Sequence, residues 1–135
     1  MKRALTIAAA LGALGAPAYA DSHIAQGEND FKKCKACHTI ANGDDVIIKG
    51  GRTGTNLFGV VGRVAGTEDF KYSASMIAAG EAGLVWTEES LVTYVADPNA
   101  FLKEATGDSS ARSKMSFKLK DSADIAAYLA SLGEE

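Results

Sequence analysis

Cys34-Lys35-Ala36-Cys37-His38 is the C-x-x-C-H pattern that attaches a c-type haem covalently. Two thiols three positions apart can add to the two vinyl groups along one porphyrin edge, while the adjacent histidine reaches under the ring to bind iron. These are the only 2 cysteines in the chain, so no other thiol competes for the role. The same C-x-x-C spacing also occurs in thioredoxin-like redox sites and zinc sites. Zinc needs four ligands, however, and the only other histidine is His23. A thioredoxin-like pair would follow a strand in a βαβ alternation, and no such alternation surrounds Cys34.

The N-terminus points to export. Met1-Lys2-Arg3 is a basic start, Ala4 to Ala16 is an apolar stretch, and Ala18-Tyr19-Ala20 is an A-x-A cleavage site. The apolar run is too short for a convincing membrane span. We therefore expect residues 1–20 to be a signal peptide cleaved after Ala20, residues 21–135 to form one domain, and the mature protein to reside in the periplasm. Removing 20 of 135 residues leaves 115, a size at which a protein core is limited and a bound apolar group adds much of the packing. The formal charge of −3 becomes −5 once Lys2 and Arg3 are removed, which argues against nucleic acid as a partner.

Along the mature chain, helical segments alternate with Gly-rich loops. Ile24 to Lys33 predicts a short helix carrying Gly27 and Phe31 on one face, the glycine permitting a close helix crossing. Asn42 to Gly62, punctuated by six glycines, reads as loop. Ser73 to Ala79 predicts a brief helix. A clearer one starts at Thr87 as N-cap and ends at Asp97, where Pro98 stops it. The last helix is capped by Asp121 or Ser122, and Ile125, Tyr128, Leu129 and Leu132 recur at i, i+3, i+4 and i+7 to give one apolar stripe. Gly133 stands at its expected stop. Extended segments are scarce, and the class is all-α.

The sixth iron ligand then decides the function. Met76, Met115, His23 and strongly perturbed lysines are the candidates. A thioether favours ferrous iron, so a Met/His pair raises the reduction potential and suits electron transfer. Met115 lies far enough beyond the haem motif for the chain to wrap the ring, whereas Met76 falls in an expected helix, where packing suits it better.

Cys34-x-x-Cys37-His38 is joined by Thr53-Gly54-Thr55-Asn56-Leu57, Gly59-Val60-Val61-Gly62-Arg63, Phe70-Lys71-Tyr72-Ser73, Leu84-Val85-Trp86-Thr87-Glu88-Glu89, Tyr94, Asp97-Pro98 and Lys114-Met115-x-Phe117. In this order the chain resembles a class I c-type cytochrome, in particular the bacterial cytochrome c2 group related to mitochondrial cytochrome c. The resemblance covers nearly the whole mature chain. It implies several helices and Gly-rich loops wrapped around one covalent haem c, with His38 and Met115 as the axial ligands. It further implies that Arg63, Tyr72 and Trp86 surround the haem propionates, that Tyr94 lies near the Met115 sulfur, and that Phe117 lies near the solvent-facing haem edge.

Two residues depart from the family pattern. Thr55 replaces a proline whose carbonyl accepts from the proximal histidine; threonine keeps a carbonyl but loses the fixed φ. Met76 stands where many relatives have an asparagine that binds an internal water. The segment Lys103 to Ser113 is longer than in the mitochondrial type, and its polar make-up reads as a surface excursion.

The function so implied is a soluble, monomeric electron carrier that takes electrons from a cytochrome bc1 complex and passes them to a photosynthetic reaction centre or a cytochrome oxidase through transient contact with these membrane complexes. Lys32, Lys33 and Lys35 flank the haem cysteines, and Lys114, Lys118 and Lys120 flank Met115. If both segments meet at the haem edge, this acidic protein carries a local basic docking face. The alternative is a haem-based peroxidase or a gas-binding sensor with an open sixth iron site. A peroxidase would want a distal acid–base residue, and His23 is the only spare histidine.

Overall fold

A computed structural model describes residues 18–133, so most of the expected signal peptide lies outside the described residues. Five helices dominate: α1 (Ala18–Asp30), α2 (Ala74–Glu81), α3 (Glu88–Ala96), α4 (Pro98–Thr106) and α5 (Ala123–Leu132). A 3₁₀ turn, Phe31–Lys33, carries the chain from α1 into the cysteine motif.

α1 and α5 form the principal helix crossing. Gly27 makes it possible, because a Cβ there would lie 1.9 Å from the Asp124 carbonyl oxygen and 2.8 Å from Tyr128 Cβ. Beside it, fully buried Phe31 meets the Tyr128 ring edge-on at 6.4 Å, and His23 Nδ1 contacts the Asp124 carboxylate. Both obstructions belong to α5 itself, and a backbone carbonyl cannot swing aside. A Gly27→Ala substitution should therefore force the helices apart and cost about 3 kcal/mol, read as a lower denaturant midpoint with an unchanged slope.

The helix boundaries follow local chemistry. Ser73 caps α2 by accepting from the Met76 amide (3.1 Å), and Thr87 with Ser90 forms a reciprocal capping box on α3. Asp97 ends α3 and at once caps α4, accepting from the Ala100 amide, with Pro98 as the first residue of the new helix. This corrects the expectation that Pro98 only stops a helix. The reading of Lys103 to Ser113 as a surface excursion holds for the exposed stretch Gly107 to Ser110 and is corrected at its ends: Lys103–Thr106 is the end of α4, and Ala111 is buried.

The stretch expected to be loop from Asn42 to Gly62 also contains structure. Strands β1 (Ile40–Asn42) and β2 (Asp45–Ile48) pair antiparallel, with Asn42 opposite Asp45 across a two-residue turn at Gly43, φ +60°. A short hairpin of this kind does not change the class. At α5 the stripe Ile125, Tyr128 and Leu129 is buried as expected. Ser122 occupies the N-cap position, yet its side chain makes no cap bond. Its hydroxyl is instead buried, the one buried side-chain polar atom without a partner among the described residues.

Candidate functional site

The motif folds as a tight turn, with the Cys37 and His38 amides both donating to the Cys34 carbonyl (3.1 and 3.0 Å). This curl brings both sulfurs and the imidazole to one wall of a mostly apolar cavity of ≈ 290 Å³. Loop 50–54 closes over the turn, with Gly51 donating to Lys35 and Gly54 to Cys37. Glycine is required at the point of contact: a Cβ on Gly54 would lie 2.4 Å from His38 Cε1.

His38 Nδ1 lies 2.6 Å from the Thr55 carbonyl oxygen. A carbonyl can only accept, so the proton sits on Nδ1 and Nε2 keeps its lone pair. Burial pushes the imidazole below the ordinary histidine range, and the bond to Thr55 only partly offsets this. The ring is thus neutral and oriented, the state a metal-binding histidine needs. Threonine in place of the family proline preserves this bond.

Met115, Tyr94, Trp86, Arg63, Tyr72 and Phe117 also line the cavity. Phe117 is 44% exposed and marks the open side. The Arg63 guanidinium donates to the carbonyls of Asn56 (3.1 Å) and Phe58 (2.6 Å), fixing it against the loop. The Tyr72 hydroxyl accepts from the Glu68 amide, which leaves its own proton to donate. Trp86 is buried in an aromatic cluster, stacked on Phe101 at 5.7 Å and tilted against Tyr94 at 5.1 Å.

The Tyr94 hydroxyl bonds Ser113 Oγ at 2.5 Å, and that oxygen also accepts from the Met115 amide at 3.0 Å. The link from Tyr94 to Met115 therefore runs through a serine that sequence reasoning placed in a surface loop. Burial pushes the Tyr94 phenol above its ordinary range, so it remains protonated and able to donate. Met76, expected as packing, is buried but also lines the cavity, which makes it the rival thioether.

Lys33, Lys35, Lys114, Lys118 and Lys120 are all exposed. Lys114 additionally reaches the Lys71 carbonyl (2.5 Å), and Lys118 pairs with Asp97 at 3.4 Å.

These residues fit a covalently held haem. The thiols of Cys34 and Cys37 are free, the imidazole nitrogen is available, a thioether stands in the same cavity, and the orphaned Ser122 hydroxyl lies on its wall. The zinc alternative is not met, since no three His, Cys, Asp or Glu side chains cluster among the described residues.

No family model matches the chain. It is 54% identical over 132 residues to cytochrome c2 of Rhodobacter capsulatus, covering 96% of this chain and 94% of that protein. Cytochrome c-551 of Roseobacter denitrificans is 52% identical over 134 residues, with 98% and 96% covered. Among solved structures, cytochrome c2 of Rhodobacter capsulatus superposes with a TM-score of 0.79 at 53% identity, covering 82% of this chain and 98% of that one. Cytochrome c2 of Paracoccus denitrificans gives 0.78 at 46% identity, covering 82% and 95%.

Proposed function

Because this chain belongs to the cytochrome c2 group of class I c-type cytochromes, electron-transfer proteins rather than enzymes that carry one covalently attached haem c, we propose that it is a periplasmic carrier taking electrons from a cytochrome bc1 complex to a photosynthetic reaction centre or a cytochrome oxidase. When bound, the haem supplies a one-electron couple. Cys34 and Cys37 would hold it by thioether bonds, and the His38 imidazole and the Met115 thioether would bind its iron. The observation that carries this reading is the neutral, oriented His38 in the same cavity as Met115, whose backbone amide is held by Ser113.

Met115 is preferred to Met76 because it lines the cavity from a segment without regular secondary structure, whereas Met76 is held in the capped first turn of α2. Tyr94 holds the Met115 segment through Ser113, and Arg63 and Tyr72 present donors suited to propionate carboxylates. Trp86 completes the wall from within its aromatic cluster. The mostly apolar lining would give the haem iron a low-polarity surrounding. An open-site peroxidase or gas sensor draws no support: His23, the one spare histidine, lies at the α1–α5 crossing with Asp124.

Among the described residues no helix is long and apolar enough to cross a membrane. The basic start, apolar stretch and A-x-A site within residues 1–20 support an export signal cleaved after Ala20. The contact face is basic: Lys33 and Lys35 adjoin Cys34, Lys114 lines the cavity, and Lys118 and Lys120 follow Phe117. The exposed pairing of Lys118 with Asp97 is worth little and does not withdraw its charge. In flash kinetics with a purified acceptor, the second-order rate should fall with ionic strength and fall further, about tenfold at low salt, for Lys33→Glu or Lys118→Glu. Lys49→Glu, at the end of the hairpin, should leave it nearly unchanged. Rates indifferent to salt and to all three substitutions would exclude this docking face.

A further inference from the structure

We propose that Asn99 is a positioning residue that latches the Met115 segment, with Ser75 as a weaker second latch. The segment is unusual in how its backbone is satisfied. Between the Ala111–Asp108 turn and the bond from the Leu119 amide to the Val95 carbonyl, it makes no backbone–backbone hydrogen bond among the described residues. Side chains do that work instead. Asn99 Oδ1 accepts from the Ser113 amide at 2.8 Å, Ser75 Oγ accepts from the Arg112 amide at 2.9 Å, and Ser113 Oγ accepts from the Met115 amide.

Asn99 and Ser75 are each the second residue of a helix, in α4 and α2, and these two helices pack against each other. The Met115 segment thus lies across two adjacent helix starts and is pinned to both. Because an amide N–H must face an acceptor, Asn99 presents its oxygen to Ser113. The bond that the Ser113 amide donates to the Asn99 side chain then fixes Ser113, whose hydroxyl holds both Tyr94 and the Met115 amide. Burial decides which latch matters more. Ser113 is half-buried, so loss of its partner leaves an amide poorly reached by water; Arg112 is exposed, and water can replace Ser75.

This inference rests on Met115 as the axial ligand, and it concerns how often the thioether leaves that position. An external ligand such as imidazole binds the ferric holo-protein only when Met115 has left, so its apparent affinity scales with the open fraction. One hydrogen bond to a neutral group predicts that Asn99→Ala raises imidazole affinity about fivefold. Ser75→Ala should raise it about twofold or less. Asn99→Asp, which keeps the acceptor, should restore the wild-type value. Amide exchange of Ser113 should quicken in Asn99→Ala, while that of Leu129 in α5 stays the same.

A Met115→Ala control separates the two levels. If Met115→Ala leaves imidazole affinity unchanged, the ligand assignment itself fails. If Met115→Ala raises it but Asn99→Ala does not, or if Asn99→Asp behaves like Asn99→Ala, the latch is overturned and Asn99 is only part of the α4 surface.

Discussion

A Met115→Ala variant is expected to lower the reduction potential by roughly 0.1–0.3 V, a sizeable part of the ≈ 0.8 V range that axial ligation spans. The cause is the loss of a neutral, soft thioether that stabilises ferrous over ferric iron. Met76 lines the same cavity and serves as the internal comparison. Met76→Leu keeps an apolar side chain of similar volume, a class of exchange that costs under about 1.5 kcal/mol, and should leave the potential nearly unchanged. A redox titration of the two purified variants checks both statements, and the reverse pattern would transfer the ligand role to Met76.

Replacing both Cys34 and Cys37 with serine should have the largest effect on the protein itself. Without the thioether bonds the haem can be lost, and the cavity of ≈ 290 Å³ then stands without its main packing partner. Its apolar lining is then left to water, and the buried side chains around it lose the contacts that close the core. A small domain has only about 5–15 kcal/mol of stability in total. The exported double variant should therefore show a haem-free mass, a loss of helical circular dichroism and rapid proteolysis. A folded protein that keeps its haem through acid–acetone extraction would contradict the assignment of the two cysteines.

How far the sequence alone reached depended on how local each signal was. The cysteine motif, the Thr87 cap and the apolar stripe of α5 are short-range patterns, and each appears in the structure where the residues placed it. Gly27 was also readable, since a glycine inside a helical pattern with a buried aromatic beyond it signals a close crossing. The start of α4 is hidden because Asp97-Pro98 after a helical pattern signals a stop. The same aspartate and proline make an N-cap and a first helical residue, which could have revealed the new helix. The hairpin was hidden by the density of glycines around Val46-Ile47-Ile48, although Gly43 itself supplies the turn.

The site shows the same division. Thr55 could be expected to keep its bond to His38, because that bond uses a backbone carbonyl, which every residue type supplies. Ser113 could not be read as part of the site, since its partner Tyr94 lies 19 residues away and only the tertiary fold brings the two hydroxyls together. Of the two cap candidates, Asp121 and Ser122, the second holds the N-cap position without a side-chain cap bond, for a related reason. Its position suits a cap, but the side chain is buried on the cavity wall, and no local pattern announces that choice.

The most direct test of the central claim is the proton NMR spectrum of the ferrous holo-protein with selectively labelled methionines. A thioether bound to iron carries its methyl group into the ring current of the haem, which shifts that resonance far upfield. The described chain has two methionines, Met76 and Met115, so the assignment is a binary one. His38/Met115 ligation predicts a single strongly shifted methyl that vanishes in Met115→Ala and persists in Met76→Leu. A shifted methyl that follows Met76, or the absence of any shifted methyl in the native protein, would contradict it.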